Sequence, residues 1–227
     1  MRALLDLQET VRVSAVFFSV SWKPFDKPRG MGLARKRQTI RTVINEKAFF
    51  GCDRLFAIHI PEGVTTIGDD AFNGSGLIDV EIPESVTTTS HSVFGRCSQL
   101  RRVKLPSSLK TVEDSFFSYC KNLKEVEMPS RLEKISCNAF LNCVALEHLE
   151  IPSSLKIIEG YVFEGCSSLA SIVIPNSVTK IDANAFKGCI GLASVEIPDS
   201  VTEISEQVFE GCTGLASIVI PSSVTKI

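Results

Sequence analysis

From Leu55 onward the apolar positions recur in one pattern: Leu-x-x-Val-x-Ile, then Pro, then Val-Thr-x-Ile, and after three variable residues Ala-Phe-x-Gly-Cys. Prolines stand at Pro61, Pro83, Pro106, Pro129, Pro152, Pro175, Pro198 and Pro221, spaced by 22 residues once and then by 23 six times. Phe49, Phe72, Phe94, Phe117, Phe140, Phe163, Phe186 and Phe209 keep the same beat. The single short spacing falls in Gly74-Ser75-Gly76, where a turn lacks one residue. A fixed period of this size marks a solenoid. Each unit has one apolar face, which it buries only against neighbouring units.

Within the unit, Leu-x-x-Val-x-Ile alternates apolar and variable positions over a strand's length, so it predicts a short strand. Proline ends that strand because it has no N–H for a ladder. Val-Thr-x-Ile-x-x-x-Ala-Phe carries apolar residues at spacings of three and five, which predicts an irregular or one-to-two-turn helical return. Gly-Cys closes the coil. The expected fold is an α/β-type repeat solenoid, a coil stack with a parallel β-sheet on one face and irregular or short helical returns on the other. About eight 23-residue repeats fill residues 38–227. Residues 1–37 do not follow the period and form a non-repeat segment, part of it expected to cap the first coil with Val11 to Val20 and part to be loose. It holds Trp22 and the basic run Arg35-Lys36-Arg37, which reads as a solvated turn. Ile227 lies midway through a coil with no polar cap, an edge that offers end-to-end self-association.

The Ile-Pro-x-Ser-Val-Thr-x-Ile and Ala-Phe-x-Gly-Cys blocks resemble the BspA-like class of leucine-rich repeats over roughly Gln38 to Ile227. That resemblance implies a protein-interaction or surface-adhesion module without enzymatic activity, its partner a protein or a surface glycan. The commoner leucine-rich pattern has Asn or Cys three residues after the last strand position. Here Gly63, Ser85, Ser108, Arg131, Ser154, Ser177, Ser200 and Ser223 stand there, and the hydroxyl is expected to cap the turn instead.

Composition adds limits. The hydrophobic fraction is 44%, and 24 basic against 26 acidic residues leave a net charge of −2, so no general field draws nucleic acid. No apolar stretch is long enough to span a membrane. Val11 to Val20 makes a poor signal peptide, with Asp6 and Glu9 where a basic region belongs. Cys52, Cys97, Cys120, Cys143, Cys166, Cys189 and Cys212 occupy the Gly-Cys position. Rungs about 5 Å apart suit buried thiols better than disulfides. Cys137 lies off this ladder and is the one thiol open to exposure and reactivity. Free thiols favour a reducing, cytoplasmic location, against the cell surface that the resemblance implies.

No Cys-x-x-Cys pair, Cys/His cluster or nucleotide, hydrolase or zinc-protease motif is present, so no metal, cofactor or enzyme is expected. His59 and His148 share a strand position four repeats apart, too far to act together, and His91 lies elsewhere in its repeat. Asn73-Gly74-Ser75 is a glycosylation sequon, informative only for a secreted chain.

Side chains alternate along a strand, so the variable positions of Leu-x-x-Val-x-Ile face outward. The candidate partner-binding residues are Asp79, Glu81, Arg102, Lys104, Glu125, Glu127, His148 and Glu150, on rungs two to five. One reading is a charge ladder that keeps the sheet soluble and in register. The other is a contact patch in which Glu127 and Glu150, unpaired like charges, attract a basic partner. Toward the C-terminus the face loses charge, and Leu169–Pro175 is copied residue for residue at Leu215–Pro221, which is evidence for a structural spacer.

Overall fold

The computed structural model describes residues 42–227. Val11 to Val20, expected to cap the first coil, Trp22 and the basic run Arg35 to Arg37 lie outside them. In chain order the strands are β1 (Thr42–Ile44), β2 (Val64–Ile67), β3 (Asp79–Glu81), β4 (Thr88–Thr89), β5 (Arg102–Lys104), β6 (Thr111–Val112) and β7 (Glu125–Glu127). They continue with β8 (Lys134–Ile135), β9 (Ile157–Ile158), β10 (Ser171–Val173), β11 (Lys180–Ile181), β12 (Ser194–Glu196) and β13 (Glu203–Ile204). Coils 1 to 8 begin at Leu55, Leu77, Leu100, Leu123, Leu146, Leu169, Leu192 and Leu215.

Two lines of parallel strands run along the stack. The outward line holds the sheets β3-β5-β7 and β10-β12, at the predicted Leu-x-x-Val-x-Ile segments. The return line holds β1-β2-β4, β6-β8 and β9-β11-β13, formed by Val-Thr-x-Ile. The expected helical returns are therefore corrected: no helix occurs among the described residues. Two features explain this. Val-Thr-x-Ile is rich in β-branched residues, which favour a pleated surface. The Ala-Phe segment that follows is flanked by left-handed residues, such as Asn138 (φ 59°) and Asn142 (φ 56°) around Phe140. A right-handed helix does not continue through a left-handed residue, so this edge folds as tight turns, with Cys143 N–H donating to Phe140 C=O at 3.0 Å.

The core lies between the two strand lines and this turn edge. Val80, Val103 and Val126 point into it from the outward strands, and Ile67, Val112, Ile135 and Ile181 from the return strands. At the turn edge the phenylalanines form one column, with ring centroids from 5.2 Å (Phe49–Phe72) to 5.9 Å (Phe94–Phe117) apart and near-parallel planes. From Phe72 to Phe186 the rings are fully buried, and rings of this size make a large hydrophobic contribution to each coil. Phe116 adds a second ring to coil 3, edge-on to Phe117 at 4.8 Å.

The cysteine ladder has a specific bonding role. Cys120, Cys143, Cys166, Cys189 and Cys212 each donate S–H to the carbonyl of the preceding coil's phenylalanine, at 3.0 to 3.2 Å. Cys97 reaches Phe72 C=O at 3.0 Å in the same way. In coil 1 Ser75 takes the rung, buried, with its hydroxyl 3.3 Å from Cys97 Sγ. The deleted residue follows it, and Gly76 is needed there because a Cβ would sit 2.0 Å from Asp53 O. Cys52 departs from the expectation of burial: it is exposed at the start of the ladder, next to the exposed Phe50 and near Phe56.

The serine after each proline was expected to cap its own turn. Instead, in coils 2, 3, 5 and 8 it links coils, while the buried hydroxyls of Ser177 and Ser200 in coils 6 and 7 have no hydrogen-bond partner among the described residues. Ser108 and Ser223 donate to the carbonyls of Val86 and Val201 in the preceding coil, the latter at 2.8 Å, and Ser154 donates to Leu132 C=O. Ser85 accepts from Gly63 N–H at 3.1 Å. The turn is already closed by backbone, as in Val86 N–H to Pro83 C=O at 3.0 Å, which leaves the hydroxyl free to reach the neighbour.

Candidate interaction face

Register along the outward line follows the period. Asp79, Arg102 and Glu125 lie side by side in one row, and Glu81, Lys104 and Glu127 in the next. All six are exposed while the valine between each pair is buried, as alternation requires. Lys104 Nζ sits 2.7 Å from Glu81, and Arg102 Nε 3.9 Å from Asp79. The Lys104 ammonium holds the Glu81 carboxyl below its ordinary range, and that carboxylate in turn raises Lys104.

Beyond β7 the pattern changes. The expected fifth rung, His148 to Glu150, is not a strand, and no backbone hydrogen bond joins residues 124–128 to residues 147–151. On the return line β8 and β9 are likewise unpaired. The junction of coils 4 and 5 is the one place among coils 1 to 8 without strand pairing on either line. Two causes lie in the residues. Glu127 and Glu150 are neighbours in the same row, and like charges directly opposite destabilise a pair. Leu149 replaces the valine or isoleucine that stands at this position in the other seven coils, and β-branched residues favour strands.

This seam opens a cleft of about 680 Å³ whose lining includes Glu125, Glu127, Met128, His148, Glu150 and Ile151. Glu125, Glu127 and Glu150 have no ion-pair partner among the described residues, in contrast to Asp79 and Glu81. So four of the eight candidates, Asp79, Glu81, Arg102 and Lys104, form a mutually compensated patch, and the other four line an acidic cleft beside it. On the flanks Lys124 bridges to Glu147 at 3.7 Å and Lys134 to Glu159 at 3.2 Å across the same junction.

The buried ladder thiols are poor nucleophiles. Burial pushes Cys166 up to about 12 and holds Cys120 and Cys143 well above the ordinary thiol range, so each stays a neutral donor. Cys137 is half-buried rather than exposed, its thiol 3.4 Å from Glu159 Oε2, and burial followed by that carboxylate raises it. Sequence reasoning missed this group: Asp114, Cys137 and Glu159, from three successive coils, bring ligand atoms within 4.8 Å of one another. Glu159 stands one position out of phase with the other two, so the period does not reveal it, and Lys134 already holds its carboxylate. His59 and His148 lie on coils 1 and 5, and His91 contributes its backbone N–H to Asp69 at 2.9 Å.

The profile of the BspA type leucine rich repeat region matches residues 37–147 and 133–227 in six copies. The chain belongs to this family. Among solved structures, the BspA-type chain is similar to the T. pallidum leucine rich repeat protein, at 36% identity over 66% of this chain and 72% of that one, with a TM-score of 0.63. It is similar to a leucine rich cell surface protein from Faecalibacterium prausnitzii, at 30% identity over 80% of this chain and 58% of that one, TM-score 0.57. A leucine-rich repeat protein from Bacteroides ovatus matches at 27% identity over 82% and 66%, TM-score 0.59. None of the curated proteins matches. BspA-type repeat proteins are typically surface or interaction proteins and generally non-enzymatic scaffolds. Among the described residues no helix is long and apolar enough to cross a membrane.

Proposed function

We propose that this chain is a non-catalytic interaction or adhesion scaffold that holds a protein or surface-glycan partner on its outward strand face. The observation that carries the reading is the acidic cleft at the junction of coils 4 and 5, where three unpaired carboxylates and His148 surround Met128 and Ile151. Charge without an internal partner on a rigid scaffold is available to an external one, and complementary charge contributes to specificity and on-rate. A basic partner segment with an apolar neighbour fits this lining. The compensated patch of Asp79, Glu81, Arg102 and Lys104 would frame the contact.

The test is an array of immobilised proteins and glycans probed with the full chain and with the double reversal Glu127→Lys, Glu150→Lys. Loss of a defined set of wild-type spots, with an unchanged melting curve, supports the face. An array pattern identical for both chains contradicts it. A second reading, a structural spacer within a longer array, is favoured by the copy of Leu169–Pro175 at Leu215–Pro221. It predicts that reversal changes nothing and that deleting coil 6 as a unit leaves every interaction intact.

A further inference from the structure

Each coil places one left-handed residue two positions after the stacked phenylalanine. At Gly51, Gly74, Gly165, Gly188 and Gly211 glycine supplies this conformation, with φ from 68° to 73°. These glycines lie over one another: a Cβ on Gly188 would stand 3.8 Å from Gly165 Cα, and one on Gly211 3.6 Å from Gly188 Cα. They make a bare strip along the turn edge. In three consecutive coils the strip is filled by Arg96 (φ 59°), Tyr119 (φ 61°) and Asn142 (φ 56°). Asparagine tolerates this region, but for arginine and tyrosine it is strained. The repeat's own solution, glycine, is used on either side. Two positions before each phenylalanine the fold uses a non-glycine left-handed residue throughout, Tyr161 (φ 60°) among them, so this conformation alone marks no site; Arg96 and Tyr119 stand apart because they fill a position that glycine takes at five of the eight turns.

The two strained side chains meet. The Arg96 guanidinium carbon lies 5.9 Å from the centroid of the Tyr119 ring, within cation–π range. Beside them is a hollow of about 300 Å³, at the lower end of small-molecule sites, lined by Arg96, Ser98, Tyr119 and Lys121. All four are exposed. Arg96 and Lys121 have no carboxylate partner among the described residues, whereas Arg102, Lys104, Lys110 and Lys124 all do. The backbone beneath is already used: Arg96 N–H donates to Ser118 C=O and Tyr119 N–H to Leu141 C=O, both at 2.7 Å. A peptide main chain finds those amides taken, so recognition falls to a guanidinium fork, an ammonium, a hydroxyl and an aromatic ring.

We propose that this hollow binds an acidic saccharide, a sugar bearing sulfate or carboxylate. The anion sits between Arg96 and Lys121, where charge-assisted hydrogen bonds favour it. The sugar ring lies against Tyr119 and its hydroxyls meet Ser98. The site is on the turn edge, away from the outward strands, so it stands or falls independently of the face assigned above.

The experiment is calorimetric titration of a sulfated heparin disaccharide, and of its unsulfated counterpart, into the full chain and into the Arg96→Gly and Tyr119→Gly variants, with melting curves for each. The expected result is binding of the sulfated sugar alone, at least tenfold weaker in both variants, with melting temperatures equal to or above that of the parent because glycine relieves the strain. Equal binding by all chains, or no binding by any, overturns the proposal. Displacement of the disaccharide by a glutamate-rich peptide at lower concentration assigns the hollow to protein instead. A clear fall in melting temperature on either glycine substitution overturns the strain argument.

Discussion

The turn edge and the outward strand face are made by the same coils, and they differ in continuity. Along the turn edge seven successive backbone bonds join each coil to the next, from Phe49 N–H to Ala71 C=O at 2.7 Å through Phe186 N–H to Val208 C=O at 3.0 Å. The phenylalanine column and the cysteine-to-phenylalanine bonds run beside them. Along the strand face, pairing stops after β7 and resumes at β10. At the seam itself Phe140 N–H still donates to Val162 C=O at 2.9 Å, and Phe140 still stacks on Phe163 at 5.6 Å. The turn edge therefore carries the stack through the seam, which frees the strand face to hold charges that would otherwise disfavour pairing.

The comparison breaks most directly with Phe140→Ala. Removing a fully buried ring costs about 3–5 kcal/mol and should split the unfolding of the N-terminal from the C-terminal coils in a urea titration. Val126→Ala, on the strand side of the same seam, should cost less, about 1–2 kcal/mol. Equal losses would remove the distinction between the two edges.

Next in size is the thiol ladder. Cys143→Ala removes the S–H donor from the Phe117 carbonyl, which keeps the Cys120 N–H, and should cost about 0.5–1.5 kcal/mol, read from the urea midpoint. Cys143→Ser should recover part of that, since coil 1 already carries Ser75 at this rung. An alanine variant as stable as the parent would show that the bond is incidental.

The ladder also sets an alkaline limit. The folded Cys166 thiol is raised from an ordinary 9.0 to about 12, so the unfolded chain loses its proton first. Its contribution is complete below pH 9 and declines as pH rises toward about 12. The melting temperature should fall over that window, and less steeply in Cys166→Val. The smallest effect belongs to the exposed charges: reversing Glu127 should leave the melting temperature unchanged, while changing what the face binds.

The period, five of the eight expected outward strands, the phenylalanine column and six buried thiols were legible in the sequence because each depends on a residue type repeated in phase, while coils 1, 5 and 8 form no outward strand. The outward exposure of Asp79 and Glu127 was legible too, since alternation alone sets which way each faces. The return strands were not, because apolar spacings of three and five fit a short helix as well as a strand followed by turns. What decided between them was the left-handed backbone around each phenylalanine, at Ser115, Tyr161 or Asn184, residues with no glycine signal. The seam was hidden for a different reason. It arises from a pair, Glu127 beside Glu150, with Leu149 as a weaker strand former, and no single coil shows it. Cys52 was misplaced because burial on the ladder comes from neighbouring coils and not from the rung itself.

Native-state hydrogen exchange across the junction of coils 4 and 5 tests the central claim most directly. The account predicts slow exchange for the amides of Phe140 and Asn142, which donate to Val162 and Glu164 across the seam. It predicts fast exchange for those of Met128 and Glu147 on the strand side, whose in-register acceptors would lie across the seam. Slow exchange at Met128 and Glu147, matching that of Leu105 and Lys124 within the β5–β7 junction, would contradict it.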